Sequence, residues 1–135
     1  MLHMLDTDTA SYVIKGRSLV IEATLGAIPP AMVCISVITR AELQYGLRPL
    51  PTDHRLHLVV RQFLRTVRAL AWDADAADYY AEIRYQLAST GQPIGEMYMM
   101  IAAHSLSVGA TLVTNNIPHF ERIELPLMLV NWMDA

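Results

Sequence analysis

The 135-residue chain is 53 % hydrophobic and 17 % charged, which excludes a disordered polymer, since that would need the reverse balance. Its length suits one domain over 1–135, and its single cysteine, Cys34, excludes an internal disulfide framework or a Cys-rich zinc module. No apolar run is long enough to span a membrane, and the acids in MLHMLDTD argue against a secretory signal, so a cytoplasmic α/β domain is expected.

Residues 1–6 predict a short buried strand ending at Asp6. A helix then starts over 9–15, with Asp8 available as its N-cap. Val20 to Ala27 predicts a second helix, stopped by Pro29 and Pro30. MVCIS at 32–36 has the β-branched, apolar character of a strand. Thr39 can open a helix that Gly46 ends. From Arg55 to Arg68, Leu56, Val59, Val60, Phe63 and Val67 recur at helical spacing. ALAW at 69–72 predicts a strand, and 75–90 a helix with Ala76, Tyr79, Tyr80, Ile83 and Leu87 on one stripe. Residues 96–108 are apolar nearly all round, as in a buried helix. TLVT at 111–114 and LMLVNW at 127–132 complete the strands, with Trp72 and Trp132 expected in the core. Short apolar strands alternating with helices predict a mostly parallel sheet of about five strands, covered on both faces. The ligand crevice of such a sheet lies beyond the carboxyl ends of its strands.

The acids fall at that rim. Asp6 and Asp8 follow the first strand, Glu42 follows the second, and Asn115 and Asn116 follow TLVT. Carboxylate and amide oxygens are hard ligands suited to Mg²⁺ or Mn²⁺, and gathered anions need a cation among them. Each residue also has an ordinary duty. Asp8 can cap a helix, Thr39-Arg40-Ala41-Glu42 fits a capping box, and Asn115-Asn116 is turn chemistry. Asp6 has no evident capping role, and the convergence of these separate segments favours a site.

The net charge of −3 hides an asymmetry. Residues 40–68 carry six arginines against Glu42 and Asp53, a balance of +4, so the remainder carries −7. Lys15 is the one lysine, and arginine suits bidentate contact with phosphate. Arg61, Arg65 and Arg68 sit at helical spacing, as for a nucleic-acid contact or a solvated face. His104, inside the apolar 96–108 segment, is expected to be a packed, hydrogen-bonded residue.

The stretches MLDTD at 4–8, ITRAELQYG at 38–46, PIG at 93–95, IAAHSLSVGATLVTNN at 101–116 and FER at 120–122 resemble the PIN-domain ribonucleases, specifically the toxins of VapBC toxin–antitoxin pairs. The resemblance covers nearly the whole chain. It implies a PIN-like α/β/α sandwich, RNA hydrolysis dependent on Mg²⁺ or Mn²⁺, a homodimer, and a cognate VapB-type antitoxin lying along the site. Relatives by pattern cleave initiator tRNA in the anticodon loop. By position, Asp6 is the first family acid and Glu42 the second, and Asn116 stands at the fourth place beside Asn115. These three are the expected metal ligands. Asp8, Arg40, Asn115, His119 and Arg122 are candidate contacts for RNA or antitoxin.

The third family acid is absent. Where relatives read IG-x-x-D, this chain reads Ile94-Gly95-Glu96-Met97-Tyr98, so Tyr98 takes the aspartate position. A phenol of pKa near 10 is a poor ligand for a hard cation. Helical geometry turns Glu96 elsewhere. The expectation is a nuclease architecture with metal binding and activity impaired. Two rivals share the residues. Asp6-Thr7-Asp8-Thr9 with Ser36 fits a haloacid-dehalogenase-type phosphatase, but Lys15 is misplaced and no late acidic pair follows. A non-catalytic antitoxin-binding module would use Met97, Met99 and Met100 as adaptable surface.

Overall fold

The computed structural model describes residues 1–134; residue 135, the last of the expected domain, lies outside the described residues. In chain order the elements are β1 (His3–Leu5), α1 (Thr7–Lys15), α2 (Leu19–Gly26), a 3-10 turn (Pro30–Met32), β2 (Val33–Ser36), α3 (Val37–Leu47), α4 (Arg55–Thr66) and β3 (Arg68–Leu70). There follow α5 (Ala74–Ser89), α6 (Glu96–Val108), β4 (Thr111–Val113), α7 (Ile117–Phe120), β5 (Met128–Val130) and a 3-10 turn (Trp132–Asp134).

The five strands form one parallel sheet in the order β3-β2-β1-β4-β5. Each central strand sends alternate side chains to opposite faces. Met4, Cys34 and Leu112 pack with Ile83, Leu87 and Ile101 of α5 and α6. Leu5, Ile35 and Val113 pack with residues of α1 to α4 such as Ile14, Leu43 and Phe63. This is the expected α/β/α sandwich. Strand order reverses at β1, which lies between β2 and β4, and that is where an open parallel sheet forms its crevice.

Several local expectations are corrected. Asp6, not Asp8, caps α1, accepting from Thr9 N–H at 2.9 Å. Asp6 is the single residue between β1 and α1, so it takes the N-cap position and its carboxylate is the nearest acceptor for the first helical N–H groups. Ser36, not Thr39, caps α3, its Oγ accepting from Ile38 N–H at 3.1 Å. Thr39 therefore lies inside the helix, and Glu42 does not close a capping box. Gly46 is also inside α3, which runs on to Leu47. Arg68 belongs to β3 rather than extending the α4 face. Trp132 is buried, but in the 3-10 turn beyond β5, 6.0 Å from the His3 ring. Trp72 is half-buried after β3 and donates from Nε1 to the Met100 carbonyl at 3.0 Å. Met99 is buried and Met100 half-buried, so only Met97 of that trio presents an open surface. No described helix is long and apolar enough to cross a membrane.

Candidate active site

A cleft of about 500 Å³ opens at the carboxyl end of the sheet. Asp6, Thr7 and Asp8 line it from the β1–α1 junction, Glu42 from α3, and Gly95, Glu96 and Tyr98 from the start of α6. Asp6 is only 1 % exposed, and burial pushes its carboxyl above the usual aspartate value. The Thr114 and Thr9 side chains and the Thr9 amide oppose that shift, while the Asp8 charge adds to it. Its Oδ2 is buried without a hydrogen-bond partner. Glu42 is half-buried and held from α1: Thr7 Oγ1 donates to its Oε1 at 2.5 Å, and Thr39 Oγ1 lies 3.2 Å from the same threonine hydroxyl.

Tyr98 stands where these charges meet. Burial first, then the Asp8, Asp6 and Glu42 charges, raise its phenol above 10, and the Asn116 side chain opposes them. The phenol is therefore neutral at pH 7. His119 meets the ring edge-on at 5.5 Å and Phe120 at 5.7 Å. A Cβ at Gly95 would sit 3.1 Å from Tyr98 Cδ2, so glycine there leaves room for the ring. Asn116 is fixed by its backbone N–H, which donates to Thr114 Oγ1 at 2.9 Å, and by its side-chain amide, which donates to His119 Nδ1 at 2.9 Å.

The other candidates divide by location. Asn115 lines a neighbouring hollow with Asp8, Ser11, Tyr12, Lys15 and Arg17. Arg40 faces away from the acids, into a groove between α3 and α4. Arg122 is exposed, and its carbonyl accepts from Gln86 of α5 at 3.1 Å. Glu96 is not turned wholly aside as expected: it lines the rim of the cleft as well as a hollow against α5. Thr7, Gly95 and Thr114 shape the site although sequence reasoning assigned them no role. The Asp-Thr pair of MLDTD was the one available signal for Thr7. His104 is fully buried, as expected, with Nδ1 2.7 Å from Ser36 Oγ.

The donor set can be tested against the divalent ion that the resemblance implies. The orphaned Oδ2 of Asp6 is a lone pair that a cation would satisfy. Yet no three His, Cys, Asp or Glu side chains among the described residues converge to hold a metal ion. A neutral phenol lines the same cleft as the carboxylates. Mg²⁺ and Mn²⁺ take a near-octahedral oxygen shell, usually anchored by one or two carboxylates and completed by water. With a phenol in place of a further carboxylate, the residues present fit a divalent ion held weakly rather than tightly.

The chain matches the PIN domain over residues 3–124. It is 37 % identical over 131 residues to the ribonuclease VapC2 of Haemophilus influenzae, covering 97 % of this chain and 98 % of that one. It is 38 % identical over 120 residues to the tRNA(fMet)-specific endonuclease VapC of Salmonella typhimurium, covering 89 % and 90 %. Among solved structures, the VapBC2 complex of Rickettsia felis bound to a promoter DNA fragment contains a chain with TM-score 0.89 at 34 % identity, over 98 % of this chain and 99 % of that one. The DNA-bound VapBC of Salmonella typhimurium gives TM-score 0.89 at 37 % identity, with the same coverage. The chain belongs to the PIN-domain family. Within it, the sequence and fold are those of the VapC toxins of VapBC toxin–antitoxin pairs.

Proposed function

We propose that the chain is the toxin component of a VapBC-type pair, built as an endoribonuclease directed at the anticodon loop of initiator tRNA, with metal binding and cleavage impaired by Tyr98. It acts in the cytoplasm as a homodimer of a single PIN-like domain and is held by a cognate VapB-type antitoxin. The relatives' names support the RNA substrate class, and the titles of the solved VapBC complexes support the antitoxin partner.

The observation that carries the impairment is the position of Tyr98. Its phenol feels Asp8, Asp6 and Glu42 together, at the place where the family pattern calls for a carboxylate. Replacing that charge by a neutral hydroxyl removes a strong donor for a hard cation. A cleft of carboxylates without a cation also repels a phosphate group. In active relatives the bound ion would supply Lewis-acid stabilisation of the phosphate and activation of water. Asp6, Glu42 and Asn116 are the remaining oxygen donors for such an ion here.

The test is cleavage of initiator tRNA in Mg²⁺ and in Mn²⁺ by this chain and by Tyr98→Asp. The variant is expected to cut on the order of 10²–10³-fold faster, the usual scale for one electrostatic stabiliser. Equal rates would overturn the assignment. Tyr98 also favours a second reading, an antitoxin-binding module that no longer cuts. Titration with an antitoxin C-terminal peptide and a cleavage assay on the same sample separate the two: tight binding with no cleavage at any metal concentration supports the module.

A further inference from the structure

We propose that the groove between α3 and α4 binds the phosphate backbone of RNA, apart from any cutting. This rests on the reading of the acid cleft as RNA-directed. The groove has a volume of about 270 Å³ and is lined by Arg40 and Gln44 of α3 and by His57, Arg61 and Arg65 of α4. No acidic residue lines it. Arg40, Arg61 and Arg65 are all exposed. Arg61 and Arg65 stand one helical turn apart, so their side chains emerge on one face of α4. Three of the six arginines of residues 40–68 are thereby gathered in one groove, although the chain as a whole is acidic.

The groove neighbours the acid cleft. A third hollow shares Thr7 and Glu42 with the cleft, and the buried Leu47 and Val60 with the groove. The three guanidiniums thus lie on the far side of α3 from Glu42, where they can hold RNA flanking the cleft. Arginine's planar fork meets phosphate oxygens with paired hydrogen bonds. Such contacts hold and orient a nucleic acid without reading its sequence.

Other occupants fit less well. No Phe, Tyr or Trp lines the groove, and its apolar residues include the buried Leu47 and Val60, which leaves little anchor for a protein partner. A second copy related by a two-fold axis would bring arginine against arginine. A polyanion with regularly spaced charges matches what is present.

The measurement is fluorescence anisotropy of a short labelled single-stranded RNA in EDTA, repeated across a series of KCl concentrations. The native chain is compared with Arg40→Ala/Arg61→Ala/Arg65→Ala and with the corresponding triple Lys variant, all checked for folding by circular dichroism. The Ala variant should bind more weakly, and its slope of log K against log salt should fall by about 2, at ~0.7 per lost phosphate contact. The Lys variant should keep most of that slope. An unchanged slope in the Ala variant overturns the proposal. So does an equal loss in the Ala and Lys variants, or unaltered RNA binding together with lost affinity for an acidic peptide. Cleavage plays no part in the readout, so failure of the Tyr98→Asp test leaves this result standing.

Discussion

Thr7 Oγ1 donates to Glu42 Oε1 at 2.5 Å, joining the first residue of α1 to the middle of α3 across 35 positions of sequence. This bond ties the Glu42 carboxylate to the residue that directly follows Asp6. Thr7→Val keeps the shape and removes the donor. The expected result is a loss of about 1 kcal/mol of stability, read as a lower urea midpoint with unchanged slope. Thr7→Ser should retain most of it.

Gly95 and Tyr98 form a coupled pair. In the native chain, Gly95→Ala places a methyl 3.1 Å from the Tyr98 ring and should cost about 1 kcal/mol as the ring shifts. In a Tyr98→Asp background the same change meets no ring. There the loss should shrink to the roughly 0.5 kcal/mol by which alanine is inferior to glycine at a helix N-cap. A double-mutant cycle by chemical denaturation checks the coupling between the two positions.

Asp6 gives a pH signature. Burial raises its carboxyl in the folded state above 3.8, so the folded chain holds this proton more tightly than the unfolded one. Stability from this group is greatest at low pH and falls as pH rises through the window between 3.8 and the folded value. Asp6→Asn, which can still cap α1, should melt higher than the native chain at pH 7. The gap should close on acidification below that window. A constant gap in melting temperature from pH 7 to pH 3 would contradict the assignment.

His104 gives the opposite sign. Burial lowers its pKa below 6.5, outweighing the Asp73 charge and the Ala71 carbonyl. Its neutral form is the one the fold accepts, with Nδ1 beside the Ser36 hydroxyl and Nε2 buried without a partner. The stabilisation is complete above pH 6.5 and is lost as pH falls from 6.5 through the folded value. His104→Asn, with an oxygen near the Nδ1 position, should flatten that limb of the stability–pH curve. Thermal melts between pH 7.5 and 4.5 supply the comparison.

Much of this was legible before any coordinates. Helix periodicity places α4 and α5 within a residue or two, because a 3–4 spacing sustained over three turns has no competing explanation, and α6 is legible as a long run apolar on all sides. The strands were found because alternating turns and apolar runs leave few other choices. The starts of α1 and α3 are not legible: Asp6 and Asp8, or Ser36 and Thr39, are chemically similar caps, and only the point where each strand ends decides between them. The pairing of Asp6, Glu42 and Tyr98 at one rim followed from parallel-sheet geometry and from the family resemblance together. The Thr7–Glu42 bond was hidden because side-chain partners on different helices leave no periodic mark. Arg40 looked like a neighbour of Glu42 in sequence, but two residues on a helix turn it about 200° away, into another groove.

The central strand β1 is paired on one side with β4, and Asp6 N–H donates to the Val113 carbonyl at 3.0 Å. Asp6 is thus anchored by a residue more than a hundred positions downstream. During synthesis β1 can meet β2 early, but its pairing with β4 cannot form until nearly the entire polypeptide has emerged, and such long-range pairing is slow to form. A prematurely terminated product would carry Asp6 and Glu42 with no β4 beside them, so the cleft assembles only on a chain synthesised through β4.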